Sequence, residues 1–594
     1  MSVAVKEAIQ LLTNDKPSLR LTGIRQLKSI AEFIGPKQTQ EELVPYLEQA
    51  AVDDTDEILI AIAEELACLG PLVSDAACLI RPLAVLARAD MQCIRDAAIA
   101  SFKTVCRDLP TSKCDTALLG TVERLASSSY YNEVVSACCL IPLAYSLCST
   151  GQRSLLSMFS KVHESPLQIV QRAAADNMGD LADAVTSKKS VEDATFVVEK
   201  YLAMHVDDAD NIRMANILGG PAVLRLTSTV IPKYTSTIDD TLAEACKDVS
   251  WRVRLCAATV FADWVGQIPR TPERTEKLAS LFAGLMSDHE AEVRAKAAAG
   301  FLDVCRNVGE GDIVNTLLPT LSQHRVDSSD QVKKSTAAVV CGLAHHLTRH
   351  DVTLHVRPIL FNFLADPSPE VKLNVLSTIS GLVEKVGPED ENIRKAVALA
   401  VGTEGKAGGL SADVDWHIRD KLARLMPELC AIFSRPGAPL DTFTESLAGV
   451  LLRFLRDSVF AVRSTAVEMM ARPIALCGTT WVRDRLVPQL SKLSKHLDYL
   501  RRITALQAIA AFAEPITELD PRLASPLLDV AGQAVMDKVP NVRLNAALTL
   551  GVLGMNVPDK TRVDSVGPLL TRLQSDSDAD VRESAEKSIR MCHV

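Results

Sequence analysis

The sequence predicts an all-α protein, a solenoid of about fifteen stacked helical hairpins. Three observations carry that reading. Hydrophobic residues make up 47% of the 594, yet aromatics only 4%, so the apolar content is mainly Ala, Leu and Val. Those residues suit closely packed helices better than sheets. A pattern of an apolar helix, an Asp, a short polar tip and Val-Arg or Val-Lys opening a second helix recurs along the chain. The recurrence has a nearly constant period, the signature of a stacked repeat architecture.

In chain order the basic anchor of the second helix falls at Arg213, Arg254, Arg294, Lys333, Lys372, Arg419, Arg463, Arg502, Arg543 and Arg582. A weaker form extends upstream through Arg20, Leu59, Arg95, Val134 and Gln171, which completes fifteen anchors. An acidic residue stands six positions earlier in most repeats: Asp207, Asp248, Asp288, Asp327, Asp366, Asp413, Asp457, Asp537 and Asp576. Spacing is regular except around the eleventh anchor, where Gly402 to Leu410 reads as a Gly-rich insertion. The repeats are expected to run as one solenoid over 1–594, with no room for an appended domain.

Each unit follows from its residues. The first helix, helix A, carries an apolar stripe, as in 317–321, and ends near the Asp. Helix B, as in 293–299, places apolar residues at helical spacing. The Asp can satisfy free amides at the start of helix B while the Val packs inward. One hairpin cannot bury both of its stripes, so neighbours must stack. Pro45, Pro319, Pro358, Pro488 and Pro568 lie inside helix-A patterns and are expected to kink them.

Composition excludes several functions. The net charge is −10, which argues against a general binder of nucleic acid or anionic membrane. No apolar run approaches membrane-spanning length, and the N-terminus lacks a signal pattern. The 15 cysteines include no Cys-x-x-Cys pair, and Cys68, Cys106, Cys305, Cys341, Cys430 and Cys477 sit in apolar helical stretches. They read as buried hydrophobes in a reducing compartment, not metal ligands. Gly402–Ala407 is too short for a phosphate loop and has Ala407 where Ser or Thr is needed. His163-Glu164 and His289-Glu290 could seed a di-iron site, but two such pairs about three repeats apart cannot converge on one metal. No catalytic residue, cofactor or metal is expected, and the protein is expected not to be an enzyme.

Three positions before the anchor, at the tip between the helices, stand Tyr131, Trp251, Trp416, Phe460 and Tyr499. With 4 Trp, 7 Tyr and 14 Phe in the chain, fewer than one aromatic would fall at those fifteen positions by chance. Equivalent positions of stacked repeats form a ridge, and tip aromatics make good interface anchors. The pattern reads as a protein-binding ridge.

The period and the Asp-x5-Arg/Lys pattern resemble the HEAT repeat, in which the Asp and Arg/Lys of successive repeats bond in a ladder. Ser250-Trp251-Arg252-Val253-Arg254, Asp288 to Arg294, Pro369 to Asn374, Asp498 to Arg502 and Asn541 to Asn545 are similar to the scaffolding A-subunit family of type 2A protein phosphatases. Asp54 to Glu64 is similar to that family's second repeat. The resemblance implies a superhelical horseshoe without activity that assembles a heterotrimer in the cytoplasm and also the nucleus. On the tips of repeats 11–15 (401–594) it would hold the phosphatase catalytic subunit, through Trp416, His417, Phe460, Tyr499, Arg502 and Val539. On repeats 1–10 (1–400) it would hold a variable B-type regulatory subunit, through Glu57, Tyr130, Arg172, Asp208, Trp251 and Arg252. His417 stands where that family's tip usually has Arg, and Tyr130-Tyr131 where its fourth tip has Trp. The alternatives are a HEAT-repeat nuclear transport receptor or another protein-binding adaptor.

Overall fold

The computed structural model describes residues 9–403, 409–434 and 442–593. Among them every regular element is a helix and none is a strand. The chain divides into two compact units, residues 1–308 and 309–594. Each is an α-solenoid of HEAT-type hairpins, repeats 1–8 in the first and repeats 9–15 in the second. No helix among the described residues is long and apolar enough to cross a membrane.

Within each unit, helix A of a hairpin packs its stripe on helix B and on the neighbouring repeat. In repeat 8, Leu278, Phe282 and Leu285 on Pro272–Met286 are buried, as are Val293, Ala297 and Ala298 on the following Ala291–Ala299. Phe282 lies between Phe261 of the preceding repeat and Phe301 of its own, with ring centroids 4.9 and 6.2 Å away. The Ala-rich composition is what lets helices approach this closely. Large aromatics in the core bond their polar ends: Trp264 Nε1 donates to Asp239 Oδ1 at 3.0 Å, and the Tyr145 hydroxyl to Asp193 Oδ2 at 2.6 Å.

The helix-A prolines do perturb their helices, in one specific way. A five-residue π-helical turn precedes Pro45, Pro319, Pro358, Pro488 and Pro568, at Thr39–Leu43, Ile313–Leu317, Val352–Val356, Val482–Leu486 and Arg562–Val566. Proline offers no N–H to the carbonyl four residues back and its ring crowds that carbonyl, so the backbone widens by one residue there. Repeat 4 has the same widening at Cys114–Leu118 with Gly120 in the proline's place.

Helix B of repeat 12 begins at Phe460, and helix A of repeat 13 ends at Ser494. Between them Gly478 adopts φ +76° and ψ −176°, a positive-φ extended kink that a side chain would adopt only under strain.

Candidate partner-binding ridge

The tip loops are built by the ladder. Arg213 donates bidentately to Asp248 of the next repeat at 2.8 and 2.9 Å, and Arg254 to Asp288 at 2.6 and 2.9 Å. Arg419–Asp457, Arg502–Asp537 and Arg543–Asp576 repeat the arrangement at 2.7 to 2.9 Å. Lys333–Asp366 and Lys372–Asp413 are single-ammonium versions at 3.0 and 2.7 Å. Each arginine also turns inward: Arg254 Nη1 donates to the carbonyls of Asp248 and Val249 in its own loop, at 2.8 and 3.4 Å.

The Asp does not cap helix B itself. Its carboxylate accepts the amide two residues on, as Asp248 does from Ser250 at 2.8 Å, which is the residue before the first helical position. The sequence-based capping role is corrected to an Asx-type turn that shapes the loop. In Asp576 the Arg543 bond dominates and holds the carboxyl down to about 2. In Asp248, Asp288 and Asp457 burial works upward, but the arginine bonds, backbone amides and arginine charge together hold the carboxyls low.

With both sides of the loop pinned, the residues between are forced outward. The tip aromatics all occupy the first position of helix B: Tyr131, Trp251, Trp416, Phe460 and Tyr499. In repeats 11 to 13 they are 36%, 57% and 41% exposed for Trp416, Phe460 and Tyr499, so none is a core residue. Trp416 stacks on His417 with centroids 3.9 Å apart, and His417 Nδ1 bonds Asp415 Oδ1 at 2.8 Å. The Arg463 guanidinium lies 5.5 Å from the Phe460 ring centroid. Val539 is partly exposed at the corresponding tip of repeat 14.

Arg502 belongs elsewhere. It is 7% exposed, and its guanidinium is taken up by Asp537 and by the carbonyls of His496 and Leu497. Its place among surface contacts is therefore corrected: it positions the tip from beneath.

Sequence reasoning missed two of the most exposed large hydrophobic side chains among the described residues. Val414 and Leu497 are each 98% exposed, two positions before Trp416 and Tyr499. Their backbone carbonyls are held by Arg419 and Arg502 at 3.1 and 3.0 Å, which aims the side chains away from the core. Apolar residues five positions before the anchor were the available signal.

In the first unit, Glu57, Tyr130, Asp208 and Arg252 are exposed at tips or first turns, Arg172 is exposed on the second turn of Gln168–Asp176, and Trp251 is partly exposed. The Arg252 guanidinium sits 5.6 Å from the Trp251 ring centroid and 3.7 Å from Asp210. Arg172 pairs with Asp176 at 3.5 Å. Between repeats 3 and 4 the ladder changes chemistry: Asn132 Nδ2 donates to Asp90 at 3.0 Å and Arg88 pairs with Glu133 at 2.9 Å.

Glu164 is bonded by Lys200 at 2.7 Å and Ser160 at 2.8 Å, and among the described residues no group of three His, Cys, Asp or Glu could hold an ion. Of the six cysteines expected to be buried, Cys68 is exposed and Cys477 partly so; burial pushes the thiols of Cys106, Cys305 and Cys341 up to about 12, so they stay protonated and inert. The phosphate-loop-like segment lies mostly outside the described residues, at 404–408.

Comparison with known proteins agrees with this reading of the repeats. The PPP2R1A-like HEAT repeat family matches residues 273–348. The chain is 34% identical to the protein phosphatase 2A scaffold subunit of Dictyostelium discoideum over 188 residues, 31% of this chain and 32% of that protein. It is 32% identical to the serine/threonine-protein phosphatase PP2A 65 kDa regulatory subunit of Drosophila melanogaster over 184 residues, 30% and 31% of the two chains. The matched stretches thus span about a third of each of these relatives. In three dimensions the chain is similar to importin β (TM-score 0.56, 12% identity, 99% of this chain and 82% of that one). It is also similar to yeast importin β, Kap95p (TM-score 0.51, 13% identity, 99% and 83%). At such low identity these likenesses speak for the solenoid fold alone.

Proposed function

We propose that the chain is a non-catalytic scaffold of the type 2A phosphatase kind. It holds a serine/threonine phosphatase catalytic subunit on the tips of repeats 11–15 and a B-type regulatory subunit on repeats 1–10. The observation that carries the reading is the ridge of repeats 11 to 13, where Trp416, Phe460 and Tyr499 stand half-exposed at one structural position. Val414 and Leu497 project beside two of them. An apolar ridge on otherwise polar tips costs solvation in the free chain and is explained by a partner that covers it. The relatives named as phosphatase scaffold or regulatory subunits support the choice of partner. The importin likeness supports the fold without favouring transport.

The mechanism is tethering. A regulatory subunit carrying its substrate meets a catalytic subunit fixed on the same scaffold at high effective concentration, without chemistry from the scaffold itself. This heterotrimer would work in the cytoplasm and also in the nucleus. Affinity capture of the full chain from its own cell extract, with mass spectrometry of what it retains, tests the reading. A stoichiometric phosphatase catalytic subunit is expected. Recovery of a small GTPase with no phosphatase would favour the transport alternative.

A further inference from the structure

Between helix A of repeat 12 (Thr442–Phe454) and helix A of repeat 13, which ends at Ser494, lies a groove of about 390 Å³. The tip residues assigned to the partner ridge do not line it. Leu452, Gly449 and Trp481 give it an apolar wall, and a Cβ built on Gly449 would meet no atom within 4 Å, so the groove is open there. Arg453, Arg456 and Arg485 bring three guanidiniums to it, against the single carboxylate of Glu445.

None of these arginines forms an ion pair with a described carboxylate; Asp484, bonded by Arg483, is near enough for the Arg485 charge to help hold its carboxyl low. Arg453 donates to the carbonyls of Gly402 and Thr403 at 2.6 and 3.0 Å and to the Ser411 hydroxyl at 3.2 Å. Those carbonyls end helix Glu391–Val401, so Arg453 fastens repeat 12 to repeat 11. Arg456 and Arg485 are exposed. In addition Gln489 Oε1 is buried in the groove wall and accepts no hydrogen bond. A buried acceptor without a donor costs about 1–3 kcal/mol, which a donor from outside would relieve.

We propose that this groove binds an extended acidic peptide segment of a partner protein. The segment's carboxylate lies against Arg456 and Arg485, an adjacent apolar side chain fills the open space beside Gly449, and a backbone N–H reaches Gln489 Oε1 once that half-buried side chain turns into the groove. A bare anion supplies the charge, and phosphate even an O–H donor, but not the apolar part. The site is distinct from the tip ridge and stands independently of the phosphatase reading.

The probe is a capped, fluorescein-labelled octapeptide of alternating leucine and glutamate, titrated with the full chain and read by anisotropy. Binding is expected to weaken by about tenfold or more in Arg456→Glu with Arg485→Glu, since charge reversal at a rim acts on a complementary partner. Gly449→Leu, which fills the groove from an uncrowded position, should weaken it comparably. The same peptide with lysine for glutamate should not bind, and Trp416→Ala with Tyr499→Ala should bind as the parent does. Unchanged melting of the variants shows that they fold. The proposal is overturned if the parent shows no binding up to about 1 mM. Equal affinity of the groove variants, or displacement by inorganic phosphate as effective as by unlabelled peptide, would also overturn it.

Discussion

Trp416 and Arg419 stand three positions apart on one helix, yet one ring faces solvent and the other side chain is sealed into the ladder at 9% exposure. The difference predicts opposite phenotypes. Arg502→Ala leaves Asp537 without its bidentate partner at the edge of the core, and should cost about 3–5 kcal/mol of stability. Phe460→Ala removes a largely exposed ring and should shift stability by less than about 1 kcal/mol. Urea midpoints of the two variants make the comparison directly. At repeat 13 the ladder lacks its carboxylate: His496 replaces the Asp, accepting the Asp498 amide at 3.0 Å, while Arg463 bonds the Thr504 hydroxyl at 3.1 Å. His496→Asp should restore an ion pair to Arg463 and raise stability by about 1 kcal/mol. A lower melting temperature would contradict that account of the joint. The aromatic positions were legible because rare residues fell on one register. The buried state of Arg502 followed from the same repeat logic but was obscured by its closeness to Tyr499.

At the scale of the element, the hairpin and its Asp-Arg/Lys spacing were readable along most of the chain because both depend on local periodicity. The π turns were readable only in part. Five follow from helix-A prolines, but the one at Cys114–Leu118 has no proline, and nothing local marks Gly120 as its equivalent. The rungs carry a pH dependence. Asp576 is held at about 2 by Arg543, below the ordinary carboxylate near 4 of an unfolded chain. Its stabilisation is therefore complete above about pH 4 and disappears as pH falls through about 2. Urea midpoints of the parent should exceed those of Asp576→Asn at pH 5, with the gap closing toward pH 2. A gap that persists unchanged at pH 2 would show that the rung acts by packing and not by charge.

For the molecule as a whole, stability is the sum of hairpins and their nearest-neighbour interfaces, so function should divide along the chain. A fragment ending at Pro388, after the Gly387 turn with φ +97°, should remain helical and keep regulatory-subunit binding while losing the catalytic subunit. Its newly exposed end is apolar and should promote some aggregation. Early repeats were harder to read because Leu59, Val134 and Gln171 stand at the anchor, and Asn132–Asp90 and Arg88–Glu133 take over between repeats 3 and 4. The central claim is that the tips of repeats 11 to 13 are a partner ridge and not core. It is tested most directly by Trp416→Ala with Tyr499→Ala, measured by thermal melting and by calorimetric titration of the same protein with the catalytic subunit. Two aromatic hot spots of about 2 kcal/mol each, acting independently, predict an affinity loss of roughly a thousandfold. Melting should stay nearly unchanged, because both rings are already partly in water. Retained affinity together with a large fall in melting temperature would contradict the account.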